Sequence, residues 1–462
     1  MKKLILSMII SIVPISTISA GVFHARIPQP DFISNDWDGD DIINSLDDDD
    51  DGDGIKDIDD SMPFGGRPGG ESSVGLASSW KVEKVLHKDQ VFNQSGVSYL
   101  HFSETHQKLY AAAHQTTKGG YVEFDYSGGQ LSDTNSYKQY PINWVKTEFS
   151  DNYMIFTPNV AKASTYMYYR RPINGFGGGG SGYKGVLYQG MRDLDISDLG
   201  TETIAAGIRH PYTVNYRINP VTDSDKSFGW GDIKSLPISE LRAALKDPTY
   251  SHLQISDDHQ WVFVKLGHSY RSGVGQKQAI AIFKRGSEDN FSYHSYIEHP
   301  ADIYIGGFAN PGAFYSDGST LIVGSSAENE RKGAVHIYKL SGDTWTHSQI
   351  ITTEYPELAV VNDAIGSANK MAVSPNYKYL VLGKANRRFK PGSSTSYPDT
   401  TNAEIWTLGA NGQYEFLYDI INAEGLKEAP VTLDILNSFY IRDNGDLFSG
   451  SYQNIIHFKA YK

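Results

Sequence analysis

A polar turn followed by an apolar strand recurs along this chain, at a spacing that leaves few folds open. The copies are FSETHQKLYAAA at Ser103, FSDNYMIF at Ser150, ISDLGTETIAAG at Ser197, ISDDHQWVFVKL at Ser256, YSDGSTLIVGSS at Ser316, VSPNYKYLVLGK at Ser374 and IRDNGDLFSGSY at Arg442. The intervals are 47, 47, 59, 60, 58 and 68 residues. The Ser197 copy matches least, but it halves a gap of 106 residues. Further strand-like runs lie between the turns: GYVEFDY (120–126), TYMYYR (165–170), QAIAIFK (278–284), GAVHIYK (333–339) and AEIWTL (403–408). A unit of roughly 50 residues holds about four short strands, and one such sheet cannot bury both faces alone. Set radially, each sheet buries its faces against its neighbours and leaves only short edges. The reading is an all-β chain, a β-propeller of four-stranded antiparallel sheets. The turn count gives seven blades, with six and eight as alternatives. Residues 80–86 (WKVEKVL) should pair with the strand near Ile455–Tyr461 and close the ring. A flat sandwich competes, but about 380 residues at this period suit it poorly.

Ahead of the repeats lies a second constraint. Residues 36–63 contain two copies of one pattern, offset by 13 residues. Asp36, Asp38, Asp40, Asn44 and Asp47 map onto Asp49, Asp51, Asp53, Asp57 and Asp60. Gly39 aligns with Gly52, and Ile42 with Ile55. Carboxylates at alternate positions of a glycine-containing loop can fold inward around a hard cation, and Ca2+ takes six to eight oxygen ligands. An EF-hand would need Glu at position 12 and flanking helices. Here position 12 is Asp, and one loop runs into the next. The bland alternative is an acidic, solvated run, which gives no reason for the glycines and isoleucines to stay in register.

The stretch resembles the thrombospondin type 3 calcium repeat, D-x-D-x-D-G-x-x-D-x-x-D. The second copy fits through Asp49, Asp51, Asp53, Gly54, Asp57 and Asp60, whereas the first has Asp41 for the Gly and Asn44 for an Asp. The resemblance implies Ca2+ as cofactor, held by the ten residues of the two copies.

Charge supports treating this stretch as a separate module. The chain has 41 Lys+Arg and 54 Asp+Glu, a net charge of -13. Residues 31–60 hold 14 Asp and one Lys, so the remainder carries 40 basic and 40 acidic residues. That neutral remainder shows no basic patch, which argues against a nucleic-acid partner. There is no cysteine, which excludes disulfides, thiolate zinc sites, cysteine nucleophiles and a lipoprotein anchor. Residues 1–20 read as a signal peptide: Lys2 and Lys3, then an apolar Leu4–Val13 too short to span a membrane, then Ala20 before the cut. Cleavage after Ser19 is the alternative. The expected order is signal peptide (1–20), leader (21–35), Asp repeats (36–63), Gly/Ser-rich linker (64–79) and propeller (80–462). A secreted, cell-surface or periplasmic protein of bacterial type follows, with no transmembrane segment.

Within one unit, DGSTLIVGSSAENERKGAVHIYKLSGDTW (317–345) resembles the FG-GAP repeat of integrin-like propellers through Leu321, Val323, Gly324, Gly333, Val335, Tyr338 and Trp345. Where that family carries an Asp-rich calcium loop, this chain has SSAENERK (Ser325–Lys332), so no calcium site is expected there. SPNYKYLVLGK (374–384) is similar to the strand motif of lactonase-type propellers.

Legible catalytic motifs are few. Gly175, Gly177 and Gly180 satisfy G-x-G-x-x-G, but no helix follows to meet a pyrophosphate. His101, His114, His210, His268 and His299 fall near strand ends, where turn or core roles are the rule. Glu104, Asp151, Asp257 and Asp317 follow the turn residue and should bond the turn backbone. Aromatic residues (Tyr166, Tyr168, Tyr169, Phe176, Tyr183, Phe228, Trp230) gather near a glycine-rich loop and in SFGWGD, where rings could stack on sugars or pack between blades. A helix is expected over Pro237–Asp247, and a long loop over 386–402 carries Arg387, Arg388 and Lys390. No catalytic constellation is legible. The expectation is therefore an exported binding or adhesion protein for a glycan, matrix polymer or surface protein. The alternative is an exported propeller enzyme, a lactonase-like hydrolase or polysaccharide lyase, with His and carboxylates converging in the central channel.

Overall fold

The computed structural model describes residues 77–461 apart from intervals between strands, the longest being 173–182, 221–233, 238–248, 268–277, 301–313, 354–364 and 427–437. The expected signal peptide, leader, Asp repeats and nearly all of the linker lie outside the described residues, as does the helix expected over Pro237–Asp247 beyond its first residue.

The chain opens with β1 (Ser79–His87). A sheet then forms in sequence order from β2 (Val97–Ser103), β3 (Lys108–Ala113), β4 (Gly120–Ser127) and β5 (Gln130–Gln139). Next come β6 (Trp144–Phe149), β7 (Tyr153–Pro158), β8 (Tyr168–Pro172) and β9 (Tyr183–Gly185). These pair in the same order, but only two residue pairs join β7 to β8. A further sheet holds β10 (Met191–Asp198), β11 (Glu202–Arg209), β12 (Thr213–Pro220) and β13 (Lys234–Ser235). Another holds β14 (Thr249–Ile255), β15 (Trp261–Gly267), β16 (Ala279–Arg285) and β17 (Phe291–Glu298). The next holds β18 (Phe314–Ser316), β19 (Thr320–Ser325), β20 (Ala334–Ser341) and β21 (Thr344–Ile351). Then come β22 (Met371–Val373) and β23 (Tyr379–Lys384), a two-stranded ribbon of β24 (Arg387–Phe389) and β25 (Ser396–Pro398), and β26 (Asn402–Leu408) with β27 (Tyr414–Asp419). Last are β28 (Ser438–Ile441), β29 (Leu447–Gly450) and β30 (Asn454–Tyr461), and β1 returns to complete their sheet in the order β1-β30-β29-β28.

Six four-stranded antiparallel sheets are thus continuously laddered, and β6–β9 form a looser group. The first strand of one sheet lies beside the first strand of the next: β2 by β6, β6 by β10, β10 by β14, β14 by β18, β22 by β28, and β28 by β2 again. The sheet β18–β21 packs on the one begun by β22 through Ile322, Val335, Leu380 and Leu382, so first strands face inward, later strands outward, and the circle closes. This is a β-propeller.

Closure follows the expected register, with Trp80 opposite Ala460 and Leu86 opposite Ile455. Trp80 is 1% exposed, donates Nε1–H to Gly445 O at 2.8 Å and lies 4.9 Å from the Tyr418 ring. Val82 N–H and Glu424 N–H cross-bond β1 to the preceding sheet's tail. The N-terminal strand is therefore fastened to two sheets formed hundreds of residues later.

Burial runs through both faces of the middle strands: Trp261–Leu266 and Ala279–Phe283 are buried at every position. Each sheet has neighbours on both faces, so successive side chains enter two different cores. Trp261, Phe263, Ile280 and Ile282 pack toward β18–β21, while Val262, Val264, Ala281 and Phe283 pack toward β10–β13. The repeated turns are held by side-chain to backbone bonds, with Asp317 in the role expected of it, Asp258 Oδ1 accepting from Gln260 N at 3.0 Å in the Ser256 turn, and Asp151 outside the described residues. Ser256 Oγ accepts from Trp261 N and Ser374 Oγ from Tyr379 N, both at 2.9 Å. Asp317 Oδ1 accepts from Ser319 N at 2.7 Å. Glu104 departs from this role. Its carboxylate takes a bidentate pair from Arg442 at 2.6 and 2.7 Å, joining the last sheet's turn to the first sheet's.

Candidate functional site

In the sheet β18–β21, the β18–β19 turn lies on one rim of the ring and the β19–β20 connection on the other. That second connection contains a single helical turn, α1 (Glu328–Arg331). Gly333 ends it with φ +80°, and a Cβ there would meet Ile365 O at 2.1 Å. Gly333 N–H bonds Glu328 O at 2.9 Å, and Ile365 N–H bonds Lys332 O at 3.0 Å. Only glycine allows this close crossing, and the crossing fixes where Glu328 stands.

Glu328 receives two imidazoles. His336, on β20, donates Nε2–H to Glu328 Oε2 at 2.7 Å. His299, one residue past the end of β17 in the preceding sheet, approaches the same oxygen at 3.1 Å. Its Nε2 is also 3.0 Å from Ser325 Oγ at the end of β19. His336 Nδ1 lies 3.1 Å from Nε2 of His347, which β21 presents at the surface. His299 and His336 are 2% and 0% exposed, and the Glu328 side chain 14%. Two residues on from His336, on the same strand face, the buried Tyr338 hydroxyl has no hydrogen-bond partner among the described residues.

The electrostatics follow from this packing. Burial alone would raise the Glu328 carboxyl, but hydrogen bonds from His299 and His336 outweigh it and hold the group well below the usual carboxylate range. Burial, and then the Glu328 charge, push the Tyr338 phenol up. Partial desolvation and His336 depress His347, which favours its neutral form. The outcome is an ionised carboxylate with two imidazoles on one oxygen and a chain of ring nitrogens leading to solvent. Such a group can accept a proton, relay one or ligate a cation. His299 Nε2, Glu328 and His336 offer ligand atoms all within 4.8 Å of one another, and they are the one such trio among the described residues.

Location matters as much as composition. Glu328 and His336 belong to a third strand and its approach, and His299 to the exit of a fourth. The trio therefore lies outward of the first strands that surround the ring's centre. The ribbon β24–β25, which holds Arg387 and Arg388, is also a second-to-third-strand connection and shares this rim by topology.

Of the histidines noted in the sequence, His299 enters the site, and His101 packs edge-on against Tyr440 at 5.5 Å. His114, His210 and His268 lie outside the described residues, as do the side chains of the aromatic residues near the glycine-rich loop and in SFGWGD. The ten Asp and Asn positions of the paired repeats, Asp36 to Asp60, also lie outside them. Sequence reasoning missed Glu328, His336 and His347. The one available signal was that the SSAENERK loop keeps an acidic residue where the FG-GAP calcium loop is lost.

No family model matches this sequence. No curated protein matches it either. Solved propellers do resemble the structure. A putative 6-phosphogluconolactonase from Bacteroides fragilis matches at TM-score 0.44 and 14% identity, over 71% of this chain and 84% of that one. The periplasmic gluconolactonase of Pseudomonas aeruginosa matches at TM-score 0.44 and 14% identity, over 70% and 84%. The WD40 domain of Toxoplasma gondii coronin matches at TM-score 0.46 and 6% identity, over 84% and 88%. Among the described residues, no helix is long and apolar enough to cross a membrane.

Proposed function

We propose that the chain is an exported β-propeller binding protein, of seven blades when β6–β9 is counted. It presents its connecting loops to a glycan, a matrix polymer or another surface protein, and residues 36–63 form a Ca2+-holding module beside it. The observation that carries this reading is the pair of Asp copies held in register at a 13-residue offset. Extracellular Ca2+ modules with dissociation constants of ~10⁻⁴–10⁻³ M suit an exported chain. Long loops on a rigid ring are where recognition resides. The position of the His–Glu trio, away from the first strands, favours binding over catalysis at the ring's centre.

A glycan array probed with the full chain tests this, first in millimolar Ca2+ and then after chelation. Selective, Ca2+-dependent binding is expected. Calorimetry should show Ca2+ heat that Asp51→Ala with Asp53→Ala largely removes. No heat and no change in circular dichroism at millimolar Ca2+ would refute the module.

A second reading draws on one observation, the convergence of His299 and His336 on an ionised Glu328. A hydrolase or lyase could use that carboxylate as a general base. Turnover of lactones or uronate polymers that Glu328→Gln abolishes, and Asp51→Ala with Asp53→Ala leaves intact, would favour the enzyme.

A further inference from the structure

We propose that His299, Glu328 and His336 bind one divalent transition-metal ion of the zinc type, in a site separate from the Asp repeats and independent of what the loops recognise. The donor set is two imidazole nitrogens and one carboxylate oxygen, which suits zinc and its neighbours, whereas Ca2+ requires six to eight oxygens. The present spacings are 2.7 and 3.1 Å from Glu328 Oε2 to the two Nε2 atoms. A tetrahedral zinc with bonds of about 2.0–2.1 Å needs its ligand atoms roughly 3.3 Å apart. The two Oε2–Nε2 spacings therefore have to open by about 0.6 and 0.2 Å, with the two Nε2 atoms, now within 4.8 Å of each other, settling at the same separation.

Charge distinguishes this cluster from the other buried ones. Glu202 is neutralised by a bidentate Arg285, and Glu104 by a bidentate Arg442. Among the described residues Glu328 has ion-pair partners only in His299 and His336. No guanidinium among the described residues answers the Glu328 carboxylate, so a divalent cation would meet it without displacing one. The outer contacts also fit. A ligating histidine usually donates its second ring N–H to a fixed acceptor. His336 Nδ1 already faces His347 Nε2 at 3.1 Å, so losing the Nε2 proton to the metal turns Nδ1–H toward His347. The Tyr338 hydroxyl, on the same face of β20 and within the field of the Glu328 carboxylate, has no hydrogen-bond partner among the described residues. Three protein ligands plus one open position is the usual composition of a zinc site that takes a further ligand.

The test is zinc titration of the full chain in millimolar Ca2+, which occupies the Asp repeats, with bound metal counted after dialysis. Wild type should retain one more Zn2+ per chain than His299→Gln with His336→Gln. Glu328→Gln should weaken that site by at least about 100-fold, and His347→Ala by about 10-fold, as for loss of an outer hydrogen-bond partner. Circular dichroism without metal checks that the variants fold. Wild type alone provides a second readout. Co2+ in this site should give the intense visible bands of four-coordination, which oxygen-only loops do not, and Zn2+ should erase them. Equal zinc retention in wild type and the double variant, or the absence of intense Co2+ bands in wild type, would overturn the proposal.

Discussion

Two buried polar clusters sit between neighbouring sheets and are built on opposite principles. At the seam between the last sheet and the first, Arg442 grips Glu104 through both oxygens, and its guanidinium lies 4.4 Å from the Phe102 ring centroid and 5.0 Å from that of Tyr126. Tyr126 donates to Asp446 Oδ2 at 3.1 Å, and Ala460 N–H donates to Asp446 Oδ1 at 3.0 Å. Charge is matched to charge there, although the ring nitrogens of the adjoining His457 have no hydrogen-bond partner among the described residues, Nε2 lying 3.8 Å from Asp446 Oδ2. At the β17–β20 site, one carboxylate faces two imidazoles, and among the described residues it has no guanidinium and the neighbouring phenol no partner. Both clusters tie sheets together, but among the described residues only the first sets a guanidinium against its carboxylates. Burial of ionisable groups therefore does not by itself distinguish a structural cluster from a ligand site. Whether a guanidinium already answers the carboxylate does.

If the seam serves stability, its loss should be costly. Trp80→Ala removes the buried ring that fastens β1 and should cost about 4 kcal/mol in denaturant melts. Arg442→Met leaves Glu104 and Asp446 without their cation and should cost about 3 kcal/mol, measured the same way. A loss below ~1 kcal/mol would mean the seam is not the clasp described. The other cluster should respond to metal instead. Zn2+ at a hundredfold above its dissociation constant should stabilise wild type by about 2.7 kcal/mol and leave Glu328→Gln unmoved.

The pH dependence of the seam is a subtler check. Burial pushes Asp446 up, but His457, the Ala460 N–H and Arg442 outweigh it, and its pKa lies below the usual aspartate value. A lowered carboxylate pKa stabilises the fold above the unfolded value near about 3.9, and the gain fades as pH falls through the folded value. The destabilisation by Asp446→Asn should accordingly be full at pH 7 and shrink in melts below about pH 4. At the weak end, the exposed Lys81–Glu424 pair, at 3.0 Å, should be replaceable: Lys81→Ala should leave the melting temperature unchanged within error.

Much of this architecture could be read from the residues. The apolar run WKVEKVL has no partner nearby in sequence, so pairing it with the last strand was the economical way to bury it, and the β1–β30 register agrees. The weak Ser197 copy does fall at the β10–β11 hairpin, where Leu199 N–H bonds Glu202 O at 3.0 Å. Burial on both faces was harder to see, since it depends on neighbours 50 or more residues away. The His–Glu trio was least visible. His299 leaves one sheet while Glu328 and His336 enter the next, and the bond from His336 to His347 depends on a β20–β21 pairing with a bulge between Ile337 and Tyr338. Glu328 sits in a loop whose likeness to a calcium loop had already failed, and nothing local marks it as the point where two histidines meet.

The most direct measurement is X-ray absorption at the zinc edge of the full chain, loaded with one Zn2+ equivalent in excess Ca2+. Two imidazole nitrogens and one carboxylate oxygen at about 2.0–2.1 Å are expected, with loss of the imidazole scattering in His299→Gln with His336→Gln. A shell of oxygen alone, or a spectrum identical in that variant, would contradict the contrast between a closed seam and an open site.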